Sequence, residues 1–394
     1  MLTSQKDIEF IGDIPPGSGG GGGSGVPLET KNYGRLTYIN PLTSEREDIV
    51  TQSSRNTFIE TGLFDEGLKN DIGRNWVMIE MGISIRSFIS MIYIGKGIVL
   101  AGSGGLNAGD GKIYRSTDFG VNWSPIVLSG ALKIITALCY LGNGIVLAGT
   151  GSIVGTGDVY RSTDYGLNWT LVEMGATLEN ISSLVYLGNG IVLAGASASP
   201  GDGDVYRSTD YGQNFVKIEL GGNYEYILGL TYLGRGIAIC GTQGAVLGEG
   251  VIFRTTDFGV NWASFSIFPG LTNVNDLAYL GNGVVLACTG EPPNVGRVFR
   301  SIDYGITWEQ ITVDVGGLTF AHIFSYIGSG IIFLGTDNGK MYRSFDYGIS
   351  WDLIYNNPAI QIRSFAYCGD GLLLMGSAKN VGDGDIYRSL ILAK

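Results

Sequence analysis

Aspartate returns in this sequence inside one recurring octet, and repeated carboxylates invite an acid–base or metal reading. Asp118 lies in Ser116-Thr117-Asp118-Phe119-Gly120-Val121-Asn122-Trp123. Asp164, Asp210, Asp257, Asp303 and Asp346 stand in the same frame, and Asp71 opens a shorter version that ends at Trp76. A reacting centre needs one or two such groups placed uniquely, so many identical copies point to a structural role. Ser and Asp side chains can satisfy the backbone of their own turn. Glycine supplies a positive φ, and the tryptophan can cover the hairpin and pack between strands. An arginine precedes each octet, at Arg115, Arg161, Arg207, Arg254, Arg300 and Arg343, and Arg388 holds the matching place near the end. The guanidinium fork suits carboxylates, but copies beside every turn predict a repeated ion-pair or stacking role.

The remaining candidates occur singly. His322 is the one histidine, and it aligns with Ile89, Thr136, Ser182, Leu228, Asn275 and Arg363 of the other repeats. It reads as a channel-lining or packing residue, and no Ser/His/Asp or Cys/His constellation can be proposed with only that histidine. Asp202 with Asp204, and Asp383 with Asp385, form Gly-Asp-Gly-Asp stretches. Closely spaced carboxylates could hold calcium; the favoured reading is solvated turn residues, with no other cofactor indicated. Tyr224, Tyr226, Asn273, Asn275, Phe320 and Asn357 fall where one repeat passes to the next. Aromatic and amide groups together suit sugar rings, which combine apolar faces with dense hydroxyls. All but Asn357, with His322 and Arg363, make up the candidate ligand-binding set. The four cysteines, Cys139, Cys240, Cys288 and Cys368, fall in apolar runs whose spacing matches neither a zinc site nor a disulfide framework.

These residues are positioned by a repeat. Trp76, Trp123, Trp169, Phe215, Trp262, Trp308 and Trp351 follow one another about 46 residues apart, the length of one four-stranded propeller blade. Each repeat runs from an apolar stretch ending in Tyr-Leu-Gly or a close variant, through a tight turn, to a second apolar strand. A Gly-rich loop then leads to a strand ending Tyr-Arg-Ser or similar, and the octet turns into the fourth strand. Asn-Gly at Asn143, Asn189 and Asn282 is a strong hairpin signal, because both central positions need positive φ. The last repeat stops after Tyr387-Arg388-Ser389, and its missing part stands at Asp71 to Trp76. A strand from about Gly73 to Glu80 is therefore expected to complete the last blade. The prediction is an all-β, seven-bladed propeller over 71–394, closed by an N-terminal strand.

The pattern Ser-x-Asp-x-Gly-x-Asn/Thr-Trp resembles the Asp box of the BNR/Asp-box propeller families, which include sialidases, sortilin-type receptors and photosystem assembly factors. That resemblance implies the propeller fold and says little about activity. Sialidase-like chains also carry an Arg-Ile-Pro segment, a Tyr/Glu nucleophile pair and an acid Asp. No Arg-Ile-Pro occurs here, and the one Tyr-Glu cluster is Tyr224-Glu225-Tyr226. A non-enzymatic propeller is expected.

Ahead of the repeats, residues 1–16 form a polar–apolar segment, Gly17 to Gly25 is a glycine/serine run that reads as a flexible tether, and 26–70 has mixed composition with a candidate strand at Arg35 to Ile39. The formal net charge is −11, which repels phosphate backbones and argues against nucleic-acid partners. No apolar run is long enough to span a bilayer, and Met1 to Pro16 shows no basic-then-apolar leader. The layout resembles phage-encoded Asp-box proteins. It gives the expectation of a virion module (tail fibre, spike or decoration) made in a host cytoplasm. Its N-terminal segment would engage other virion proteins, its propeller would bind a host glycan or protein, and homo-oligomers would be possible. An intracellular assembly or scaffolding factor that binds protein partners is the alternative, and a glycosidase the third reading.

Overall fold

Two kinds of tight turn, both demanding left-handed backbone, shape the repeat. Between the first and second strands, Asn143 and Gly144 have φ of 51° and 82°. The same conformation is adopted by Lys96-Gly97, Arg235-Gly236, Ser329-Gly330 and Asp370-Gly371, so the glycine alone suffices where asparagine is absent. Between the third and fourth strands, Phe119 and Gly120 have φ of 58° and 82°. The two turns touch: the Phe119 N–H donates to Gly97 O at 2.9 Å, and Tyr165 N–H to Gly144 O at 2.9 Å. Box turns and first hairpin turns thus share one face.

The computed structural model describes residues 73–389 except 82–84, 106–109, 130–133, 152–156, 176–177, 198–202, 223, 245–249, 266–270, 292–294, 315–316 and 380–383, together with three strands nearer the start. Asp71, Asp202 and Asp383 lie outside the described residues. The chain divides into two compact modules, Met1–Lys69 and Asn70–Lys394. In the first, Arg35–Ile39 is the central strand of an antiparallel sheet between Glu9–Ile11 and Arg46–Asp48. Phe10 stands opposite Leu36 and Tyr38 opposite Glu47, so segments on both sides of the glycine run pair with each other.

The second module is a succession of four-stranded antiparallel blades, a β-propeller architecture. The second blade is representative: Ile134–Gly142, Ile145–Gly151, Val159–Ser162 and Thr170–Val172 pair in order. The first strands of the others are Ser87–Tyr93, Asn180–Gly188, Tyr224–Gly234, Asn273–Gly281, Ala321–Gly328 and Gln361–Tyr367, and neighbouring first strands pack side by side. Except in the last blade, the fourth strands begin one residue beyond the aromatic that ends the box, later than the sequence suggests. In the last blade Ile386–Ser389 pairs with Trp76–Ile79, Ser389 opposite Trp76 and Ile386 opposite Ile79. That strand is shorter than the expected Gly73 to Glu80.

Burial follows strand order. Every residue of Val99–Gly104 is buried, as is Leu373–Ala378, whereas fourth strands such as Ser124–Ile126 are exposed to half-buried. Apolar clusters sit between blades. Leu100 of the first blade packs with Ile135, Val146 and Tyr160 of the second, so the interior is a series of inter-blade layers. Box glycines allow this close approach. A Cβ on Gly166 would come 2.8 Å from Leu100 Cδ1 of the preceding blade. The four cysteines are buried and unbridged.

Candidate functional site

The box face is chemically occupied. Asp118 Oδ1 accepts from Ser116 Oγ at 2.7 Å, Val121 N at 3.1 Å and Asn122 N at 2.9 Å, while Oδ2 accepts from Asn122 Nδ2 at 2.7 Å. Ser116 Oγ in turn accepts from Gly120 N at 2.9 Å, and Trp123 Nε1 donates to Gly120 O at 3.0 Å. Asp164, Asp210, Asp257, Asp303 and Asp346 repeat this arrangement with Asn, Thr or Ser as the last donor. The Asn261 amide leads the donors that bring Asp257 down to about 2. A carboxylate with this many donors is a turn brace, already spent as acid, base or ligand.

The arginines correct the ion-pair expectation. Arg115 Nε donates to Tyr165 O of the next blade at 3.0 Å, and Arg161, Arg207, Arg254, Arg300 and Arg388 do the same to Tyr211, Phe258, Tyr304, Tyr347 and Phe119. Arg343 is fully buried and lies 4.4 Å from the Phe345 ring centre, so stacking holds there. The other six arginines tie their blades to the next box.

The loops from second to third strand and the crossings between blades meet on the opposite face, where Gly157 N–H donates to Leu178 O and Gly250 N–H to Leu271 O. There the repeats diverge, and Phe320, His322 and Arg363 come together. His322 Nε2 lies 2.6 Å from Arg363 Nη1 and 2.6 Å from Asp337 Oδ1. Arg363 Nη2 is 3.2 Å from Asp337 Oδ1 and 2.5 Å from Gln361 Oε1. The Phe320 ring centre is 6.2 Å from that of His322. Burial, aided by Arg363 and opposed by Asp337, holds His322 below its ordinary value; His322 and Arg363 outweigh burial in holding Asp337 low.

Asn275 joins the group through the backbone, Nδ2 donating to Ala321 O at 2.7 Å. Its neighbour Asp276 accepts from Phe324 N at 2.7 Å, and burial pushes its carboxyl up to about 7. Tyr224, Tyr226 and Asn273 lie on other blades. Tyr224 is half-buried, its ring edge-on to Phe253 at 5.3 Å, so it serves the core in part. Tyr226 stands opposite Ser197 and Asn273 opposite Gln243, both at junctions between blades. Asp276, Asp337 and Gln361 escaped the sequence reading, because each sits in an otherwise ordinary strand or turn. The signal available was the shortened Asp337-Asn338-Gly339 turn of the sixth blade.

The paired-aspartate reading is corrected at its described members. Asp204 is buried, 2.9 Å from Lys217 Nζ, and accepts from Leu220 N at 2.8 Å. Asp385 is buried, 2.7 Å from Lys379 Nζ. Both are interior braces rather than solvated turn residues, with a lysine where a cation would sit. Among the described residues no group of three or more His, Cys, Asp or Glu is arranged to hold a metal ion, and no helix is long and apolar enough to cross a membrane.

Comparison with known proteins agrees at the level of fold. Residues 298–311 match the family model described as BNR-Asp box repeat. The structure of YCF48 bound to D1 peptide superposes with a TM-score of 0.59 at 14% identity, covering 80% of this chain and 95% of that one. YCF48 from Cyanidioschyzon merolae gives 0.58 at 12% identity, covering 80% and 98%. The WD40 β-propeller domain of Doa1 gives 0.55 at 15%, covering 80% and 96%. Comparison with curated protein sequences returns no match.

Proposed function

We propose that the chain is a seven-bladed propeller, its last blade completed by Trp76–Ile79, that works as a non-enzymatic assembly or scaffolding module. It presents the face opposite its Asp boxes to a protein partner. The observation that carries this reading is the division of labour between the faces. Repeated carboxylates and arginines are consumed by turn and inter-blade bonds. The unrepeated groups Phe320, His322, Asp337 and Arg363 gather on the other side. Recognition belongs where a repeated scaffold varies. A half-buried aromatic beside fixed polar groups is the chemistry of a protein interface centre. A propeller of similar fold has been captured with a bound peptide, which supports a peptide or protein ligand ahead of a glycan.

The particle-bound reading rests on the separate module Met1–Lys69, which would serve as its anchor to other virion proteins. The two readings part on a single comparison. For an assembly factor, partner recovery from the source cell is lowered about tenfold, roughly 1.4 kcal/mol, by the double change Tyr226→Ala and Phe320→Ala. It is unchanged by the box-face control Leu167→Ser, and the chain is absent from particles. Fixed-ratio incorporation into particles that depends on residues 1–69 would favour the virion role instead.

A further inference from the structure

Consecutive blades are stitched by single antiparallel pairs: Gly104 with Ile134, Gly151 with Asn180, Ser197 with Tyr226, Gln243 with Asn273, and Ala378 with Ser87. Among the described residues the sixth blade, built from Ala321–Gly328, Ile331–Thr336, Lys340–Ser344 and Asp352–Asn356, makes no such pair on either side and forms a sheet of its own. The residues at the equivalent positions are Gly290 with Phe320 at one seam and Asp337 with Gln361 at the other. Side chains take over at both. At the first seam the Phe320 ring lies over Gly290, where a Cβ would meet it at 2.0 Å. Asn275 and Asp276 reach across to Ala321 O and Phe324 N. At the second, Arg363 of the seventh blade, held by Gln361 of its own strand, meets His322 and Asp337 of the sixth.

The second seam has two incompatible bonding patterns. Arg363 Nη1 and Asp337 Oδ1 both approach the same ring nitrogen, His322 Nε2. A bare nitrogen accepts from the guanidinium; a protonated one donates to the carboxylate; it cannot do both. With Nε2 bare, Arg363 bridges His322 and Asp337 on one blade to Gln361 on its own. With His322 cationic, the imidazole bonds Asp337 inside its own blade and repels the guanidinium. We propose that His322 is a proton-operated latch on the sixth blade, tying it to the seventh through Arg363 when neutral and releasing Arg363 when protonated.

The charged groups that act on His322 are Asp337 and Arg363. From the fifth blade, Asp276 is engaged with Phe324 N, and Cys288 stands opposite Asp276 in the adjoining strand. Burial is the largest influence on His322 and favours its neutral form, so the closed state is the one present at neutral pH and release falls below the usual histidine range.

His322 is the chain's only histidine, so the imidazole Cε1–H signal of the full-length protein needs no assignment. NMR titration is expected to give a midpoint below about 6.5, and a higher midpoint in Arg363→Gln. Protection against hydrogen exchange across Gln361–Tyr367, corrected for the intrinsic pH dependence of amide exchange, should fall severalfold below that midpoint in the wild type and should show no such step in His322→Gln. An imidazole midpoint indifferent to Arg363→Gln would overturn the latch. So would a protection factor across Gln361–Tyr367 that is equal on both sides of the wild-type midpoint, a measurement that stands even if a variant fails to fold. No ligand enters the experiment, so its outcome is separate from that of the binding proposal.

Discussion

At the residue scale, the box aspartates and Asp276 titrate so as to pull stability in opposite directions. The box aspartates are held low by their donors, Asp257 and Asp303 to about 2. Their stabilisation is present above the unfolded value near 3.9 and is lost as pH falls through the folded values. Asp276 is the reverse, raised by burial to about 7. Folding then favours its protonated form, and the contribution disappears as pH rises from about 4 through 7. Thermal midpoints of the wild type should therefore fall from pH 5 to pH 8 by more than those of Asp276→Asn, which keeps the acceptor for Phe324 N without the charge. Equal slopes would show that Asp276 does not titrate in that window. Asp210→Ala removes the acceptor for Gln213 N, Asn214 N and Asn214 Nδ2. It should cost about 1–3 kcal/mol in denaturant unfolding. The role of these aspartates was legible from their repetition. The latch was legible only in part: the repeat aligns His322 with Arg363 of the next blade, but nothing in the sequence marks Asp337 as their partner.

At the element scale, the hairpins were legible because Asn-Gly and the box glycines announce left-handed backbone, and the structure puts both there. Less legible was the aromatic before each box glycine. Phe119, Tyr165, Tyr211, Phe258, Tyr304 and Tyr347 all have positive φ, a conformation bulky side chains seldom adopt. The strain is offset by the N–H bond to the first hairpin turn and by ring contacts such as Tyr93 on Phe119 at 5.9 Å. Propensity reports neither, since both partners come from another part of the blade. The third blade supplies a test, because Phe215 stands where other boxes place an indole that donates to the glycine carbonyl. Phe215→Trp should stabilise the chain by about 0.5–1.5 kcal/mol, read as a raised denaturant midpoint at unchanged slope. At the sixth blade, a Cβ on Gly339 would stand 1.8 Å from Asn357 O. Gly339→Ala should lower the thermal midpoint by several degrees.

At the scale of the whole molecule, a blade repeat predicts one architecture and leaves its use open. The period and the split box carried the propeller into view, and Ile386–Ser389 pairs with Trp76–Ile79. The sheet around Arg35–Ile39 was only glimpsed, since strands as short as Glu9–Ile11 and Arg46–Asp48 carry too few residues to show a period. If the two modules are independent, a chain lacking residues 1–69 should unfold with the same propeller transition as the full chain. A lowered midpoint would mean that the first module stabilises the second. The claim that joins all three scales is that one face braces and the other recognises. A photo-crosslinking amino acid placed singly at Tyr226 or Phe320, and at Leu167 or Val260 on the box face, tests it directly in the source cell. The account predicts a discrete protein adduct from Tyr226 and Phe320 and none from Leu167 or Val260. Adducts confined to the box-face positions would contradict it.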